Sequence, residues 1–314
     1  MNLLYIFNFK IVSLKKFIIT ILFFGIAILA SIVGVFLMAD ATTDPFYKKF
    51  TSSKQSSLIL GSSRIAEGVN PSIINKELKG INSYNYAFTY NTSPYGPTYL
   101  NSIKRKLDTT IKNQIFILGV DPWVLSNDSH NPNDLKTFEE QDGFLGTLKT
   151  VNSNPNFDYL VHNYSEPYIK ILYNNSPLVV QDDGFTKLTL TLTDDYIENK
   201  KKETLVNYID KLKEYKFSTL RLDYLKETIT YLQAFGEVYL IRVPIDFQLL
   251  EIENTLKSNF DEVINDLTTE LKVPYFNFSN RGDEFNYSDA HHLLPESADK
   301  LSIEIATRIK QLKH

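Results

Sequence analysis

Gly61-Ser62-Ser63-Arg64 and Asp289-Ala290-His291-His292 together hold a hydroxyl, an imidazole and a carboxylate. A serine hydroxyl is a poor nucleophile until a base takes its proton. Histidine does this near neutral pH, and a carboxylate holds the imidazole in the required tautomer. Ser63 is therefore the candidate nucleophile, His292 the candidate general base and Asp289 its orienting partner. The three-residue spacing lets Asp289 reach back to one ring nitrogen while the other points outward, with His291 as the local competitor. Either motif alone is an ordinary turn. Their order along the chain gives them meaning.

Those residues need a frame. Ser57–Gly61, Ser83–Ala87, Gln114–Val120, Glu237–Val243 and Pro274–Phe278 read as strands, separated by helical stretches. Continuous apolar runs such as Ile115–Leu118 and Val238–Ile241 suit strands covered on both faces. The expected fold is α/β, a three-layer sandwich with a mainly parallel sheet. Sites in such sheets form outside the carboxyl ends of the strands, which is where Ser63 falls. Gly61 permits a tight turn there, and the backbone N–H groups that follow can face an oxyanion. Asp246 starts a helical stripe running from Leu249 to Leu271, and Ser218 starts another through Leu222, Leu225, Ile229 and Leu232. A last helix from Pro295 buries Ala298, Leu301, Ile305 and Leu312. All three stripes read as core packing.

Residues 125–200 interrupt the alternation and read as an insertion, either an active-site lid or a passive elaboration. Leu178-Val179-Val180, Asp183-Gly184 and the alternating Lys187–Thr193 read as a hairpin within it. Phe17–Ala39 is apolar on every face and long enough to cross a bilayer. Lys10, Lys15 and Lys16 precede it and Asp40 and Asp44 follow, which puts residues 1–16 in the cytoplasm and the rest outside. A cleaved signal peptide ending at Ala39-Asp40-Ala41 is the competing reading, but signal cores are shorter. Residues 40–55 read as a linker, and 56–314 as the domain.

A net charge of -4 argues against nucleic acid as a partner. The absence of cysteine excludes disulfides, thiolate catalysis and Cys-based zinc sites. No Walker loop, Rossmann fingerprint or H-E-x-x-H is present, and no cofactor is expected. Asp289, His291 and His292 could in principle ligate a metal, but adjacent histidines rarely face one ion, and no metal is expected.

The serine turn after the first strand and the Asp-x-x-His before the last helix resemble the SGNH (GDSL-like) hydrolase superfamily. The resemblance covers roughly residues 56–124 and 236–312. It implies a triad of Ser63, Asp289 and His292. Asn85 followed by Ala87 looks like the block whose turn gives a backbone N–H to the oxyanion hole, with the donor near Asn85–Asn91. Leu293–Ala298 resembles the segment after the family's histidine. The third block departs from the pattern: Gly119-Val120-Asp121-Pro122-Trp123 stands where the family has Gly-x-Asn-Asp. An ionised Asp121 repels an oxyanion, so it must point elsewhere, be protonated, or weaken catalysis. The Asp-Pro-Trp run and single anchor resemble the membrane-anchored D-alanyl-transfer proteins of teichoic acid modification.

The resemblance implies an extracytoplasmic esterase or acyltransferase of the cell envelope. Its substrate would be an acyl ester of a surface or exported glycan. The alternative is a non-catalytic module that binds glycan or scaffolds a membrane-bound acyltransferase. Arg64 either binds an anionic substrate group or forms a structural ion pair, the latter preferred. Trp123 reads as a packed aromatic in preference to a sugar platform.

Overall fold

The computed structural model describes residues 14–40, 44–173 and 176–313. Its centre is a parallel five-stranded sheet: β1 (Ser57–Leu60), β2 (Ser83–Asn85), β3 (Gln114–Gly119), β4 (Gly236–Arg242) and β5 (Tyr275–Asn277), in the order β2-β1-β3-β4-β5. This is the flavodoxin-like order, whose switch point lies between β1 and β3. The register sets Leu60 beside Leu118, Ile117 beside Tyr239 and Ile241 beside Phe276. All five expected strands are present.

The helices used below are α1 (Leu14–Leu37), α2 (Pro45–Thr51), α3 (Ser63–Gly68), α4 (Pro71–Glu77), α5 (Pro97–Lys106), α6 (Asp194–Lys211), α7 (Thr219–Gln233), α8 (Phe247–Leu256), α9 (Phe260–Leu271) and α10 (Pro295–Leu312). Because strand side chains alternate between faces, the sheet has two cores. Leu58, Leu60, Phe116, Leu118 and Leu240 pack with α2, α5, α7 and α9. Ile59, Ile115, Ile117 and Ile241 pack with α3, α4 and α10. The three-layer sandwich follows directly.

Three local expectations change. The stripe after Asp246 is two helices, with Lys257 in extended backbone between them. They serve different cores: Leu249, Leu250 and Ile252 of α8 pack with Trp123 and Tyr208, whereas Phe260, Ile264 and Leu267 of α9 pack on the sheet. At the end of α10, Leu312 is exposed and Ile309 takes the buried position. The hairpin pairs only Leu178–Val180 with Thr186–Leu188, so the alternation from Thr189 onward forms no strand.

The expected linker is also part of the domain. Asp44 caps α2 by accepting from the Phe46 and Tyr47 N–H groups, and its other oxygen accepts from the Tyr159 hydroxyl. Tyr47 and Phe50 are buried, and Phe50 meets Phe144 edge-on at 5.2 Å. Residues 41–43 of that segment lie outside the described residues.

The insertion divides into two parts. Phe144, Leu145, Leu148 and Tyr159 join the sheet core. The hairpin and the stretch to Thr193 line a cavity together with Glu67, Asp289 and His292. Lys15–Leu37 is one helix long and apolar enough to cross a membrane. Near its end Phe36 packs on Tyr168 and Phe157. Lys10 and most of the expected cytoplasmic segment, residues 1–13, lie outside the described residues.

Candidate active site

β1 ends at Leu60, and the chain turns sharply through Gly61, whose φ of +144° disfavours a side chain. The Gly61 carbonyl accepts from the Phe88 N–H and the Ser93 hydroxyl, and its N–H donates to the Tyr99 hydroxyl. The turn is therefore held on three sides. Ser62 occupies the N-cap position, its carbonyl accepting from the Ile65 and Ala66 N–H groups, and Ser63 is the first helical residue. Ile65 then packs over the ends of β1 and β3. A Cβ on Gly119 would lie 2.0 Å from Ile65 Cγ1, so only glycine lets α3 seat there.

The opposing loop is closed by its own backbone. Tyr287 bridges Leu293, Ser288 N–H donates to the His292 carbonyl, and Leu294 N–H donates to the Asn286 carbonyl. Asp289 Oδ1 accepts from the N–H groups of Ala290, His291 and His292. One carboxylate oxygen thereby organises the turn. The other, Oδ2, lies 2.7 Å from His292 Nδ1. His292 Nε2 lies 2.8 Å from Ser63 Oγ. The structure thus joins the three residues in one hydrogen-bonded line, with the nucleophile-to-base and base-to-orienter contacts that acyl transfer requires.

Glu67, one helical turn beyond Ser63, places Oε1 3.7 Å from His292 Nε2. Sequence reasoning missed it, although an i,i+4 carboxylate on the nucleophile's helix was a legible signal. Burial works to lower the His292 pKa, but Glu67 and Asp289 outweigh it and push it up to about 9. Burial also opposes ionisation of Asp289, yet His292 and His291 hold its carboxyl well below the usual range. Burial raises the pKa of Glu67 against the pull of His292.

His291 does not compete for Ser63. It is buried edge-on against Tyr208 at 5.3 Å, and its Nδ1 makes no hydrogen bond. Burial and the neighbouring His292 push its pKa well down. Asp289, His291 and His292 are close enough to hold a metal ion. However, both His292 nitrogens and both Asp289 oxygens already serve the Ser63 line and its turn.

The remaining candidates make their hydrogen bonds and ion pairs with groups other than Ser63, His292 and Asp289. Arg64 is buried and pairs with Glu253 at 2.5 Å, which Arg242 also contacts at 2.7 Å. The guanidinium is thus engaged in a buried ion pair. Asp121 is held beside the serine turn: Oδ1 accepts from the Trp123 and Val124 N–H groups, and Oδ2 accepts from the Ser62 hydroxyl at 3.4 Å and lies 3.8 Å from Arg64. Burial raises its pKa, with Arg64 opposing. Trp123 is buried against Tyr208 and Tyr215.

Asn85 is buried, its amide donating to the Ile65 and Val69 carbonyls and its oxygen accepting from Ala87 N–H. It braces α3 from behind. The N–H groups of Asn85, Tyr86, Ala87 and Phe88 are all engaged, so none is a second oxyanion donor. Asn91 is exposed and accepts from the Tyr215 hydroxyl.

A cavity of about 510 Å³ opens beside the site. His292, Asp289 and Glu67 form one wall, while Leu178, Leu188, Leu190 and Leu192 come from the insertion. Part of the insertion thus overhangs the site.

Fold and site together define an α/β protein with a hydrogen-bonded Ser–His–Asp line at the carboxyl ends of a parallel sheet. No protein-family model matches the chain, and no curated protein matches it.

Proposed function

We propose that this chain is an SGNH-like serine esterase or O-acyltransferase. The observation that carries the reading is the 2.8 Å contact between Ser63 and His292, continued to Asp289 at 2.7 Å. In the first step Ser63 Oγ attacks the acyl carbonyl carbon and its proton passes to His292 Nε2. The tetrahedral intermediate collapses, the C–O bond to the leaving alcohol breaks, and that oxygen takes the proton from His292. The acyl group is left as an ester on Ser63. Water or an acceptor hydroxyl then attacks this ester, giving its proton to His292, which returns it to Ser63. The N–H of Ser63, at the start of α3 with no intrahelical partner, would serve as a backbone donor to the developing oxyanion.

The apolar N-terminal helix, preceded by Lys15 and Lys16 and followed by Asp40 and Asp44, supports a single-pass anchor with the domain outside the membrane. On that topology the substrate is an acyl ester of a surface or exported glycan. A fluorophosphonate probe tests the chemistry. Labelling of the wild type and none of Ser63→Ala is the expected result, and equal labelling of both sinks the reading.

A second reading, a non-catalytic glycan-binding or scaffolding partner of a membrane acyltransferase, has one observation in its favour. The N–H groups of residues 85–88 are all engaged and Asp121 replaces the expected asparagine, which leaves fewer groups to serve as a second oxyanion donor. Wild-type glycan acylation in a Ser63→Ala strain would favour it.

A further inference from the structure

The alternating run Lys187–Thr193 has the sequence of a strand, yet pairing stops at Leu188. Its leucines are not core residues. Leu188, Leu190 and Leu192 line the cavity, joined by Leu178 and Pro177 from the hairpin's other arm and by Tyr196 from the first turn of α6. Leu190 remains 58 % exposed and Tyr196 48 % exposed. Leaving large apolar side chains in water forgoes stabilisation of order 25 cal/mol per Å². Leu190 neither pairs nor packs, and Leu188 and Leu192 are only half-buried, so the run leaves apolar surface free for an apolar ligand.

The placement says which one. His292 and Asp289 stand in the wall of this same cavity, and His292 touches the Ser63 hydroxyl. Ser63 itself does not line the cavity, but its partner His292 does, so an ester whose carbonyl meets Ser63 can send one of its two arms into the leucine-lined space. The polar arm, a glycan or other alcohol, would find no hydrogen-bond partner among the leucine side chains there. A hydrocarbon arm loses nothing and removes both surfaces from water. The volume of about 510 Å³ is within the range of small-molecule sites, and much larger than an acetyl group or a D-alanyl group requires.

We infer that the leucine-lined cavity is an acyl-chain pocket, and that the group transferred through Ser63 is a medium-length hydrocarbon acyl chain and neither acetyl nor D-alanyl. The inference rests on the esterase reading and adds the acyl class to it. Thr191, Thr193 and Lys200 at the rim leave polar contacts for the alcohol side of the ester.

The test is the chain-length profile of the full-length protein in nanodiscs, with p-nitrophenyl acetate, butyrate, octanoate and palmitate. The expected kcat/KM is highest for octanoate, exceeding acetate by at least ~10-fold, since each buried methylene is worth a factor of roughly four. Leu190→Gln and Leu192→Gln should each lower the octanoate-to-acetate ratio by ~3-fold or more, and the pair together by more. Leu190 is exposed enough that its replacement does not disturb folding. Val206→Gln, on the exposed face of α6 and outside the cavity, should leave the ratio unchanged. Turnover abolished by Ser63→Ala but fastest with acetate overturns the pocket and leaves the esterase reading standing. A ratio unmoved by both leucine variants does the same. No turnover of any ester, with no fluorophosphonate labelling of Ser63, overturns the esterase reading and the pocket together.

Discussion

The Glu67 carboxylate lies 3.7 Å from His292 Nε2, on the ring nitrogen that also faces Ser63. His292 therefore stands between two carboxylates, Glu67 on one side and Asp289 on the other. Both favour the imidazolium, and its pKa is pushed up to about 9. A general base works only when neutral, so kcat/KM should rise with pH and level off above about 9. Glu67→Gln removes one charge that favours the protonated ring. Its acidic limb should move to lower pH, toward the ordinary histidine range, and its activity at neutral pH should rise. A pH–rate profile unchanged by Glu67→Gln would show that the contact has no influence on the base.

The same pair makes a statement about stability. The folded pKa of His292 is above the ordinary value of 6.5. The unfolded state binds fewer protons than the folded state between these values, so stability falls as pH rises there. The contribution is fully present below about 6.5 and lost as pH passes through about 9. His292→Gln should flatten the decline in denaturation midpoint between pH 6.5 and 9.5. An equal slope in both proteins would assign the decline to other groups.

Asp289 serves His292 and its own turn at once. Asp289→Asn keeps an oxygen for the three N–H groups but presents an amide NH₂ to Nδ1. The imidazole then loses its preferred tautomer, and kcat should fall about 10³–10⁴-fold with little change in the thermal midpoint. Asp289→Ala also frees the N–H groups and should cost stability in addition, roughly 1–3 kcal/mol. Comparing the two by ester turnover and thermal melting separates the catalytic from the structural share.

Glu253 is buried between Arg64 and Arg242. Glu253→Gln leaves two buried guanidinium groups without their shared partner, and should destabilise the protein by roughly 3–5 kcal/mol in urea unfolding. A loss below about 1 kcal/mol would mean that Asp121 and Asp261, the other carboxylates near these arginines, suffice.

Gly119 and Ile65 fix the height of α3 above the sheet. Gly119→Ala introduces a methyl 2.0 Å from Ile65 Cγ1, so the helix carrying Ser63 must lift. The expected cost is about 1–3 kcal/mol together with reduced turnover. Adding Ile65→Ala should recover part of both, a coupling measurable by a double-mutant cycle. Additive losses would show that the two residues act separately.

The five sheet strands were legible because their apolar runs are covered on both faces and flanked by turn residues. The α8–α9 break was not, since a stripe of threes and fours does not reveal that its halves serve different cores. The segment 44–51 looked like a linker because Thr, Ser and Lys surround it; the burial of Tyr47 and Phe50 depends on partners about a hundred residues away. The leucine alternation at 188–192 looked like a strand because pattern alone cannot distinguish a sheet face from a cavity wall.

By itself, the sequence determined the residue types available for chemistry, their order along an α/β pattern, and one helix apolar enough for a membrane. These depend on local spacing and composition, which the chain carries without folding. Tertiary structure decided which groups meet. It brought His292 to Ser63 across 229 positions, set Glu67 beside the pair, turned Asp121 toward Arg64, and engaged the N–H groups of residues 85–88 elsewhere. Distances between remote side chains follow from how strands register and helices seat, and no local pattern encodes them.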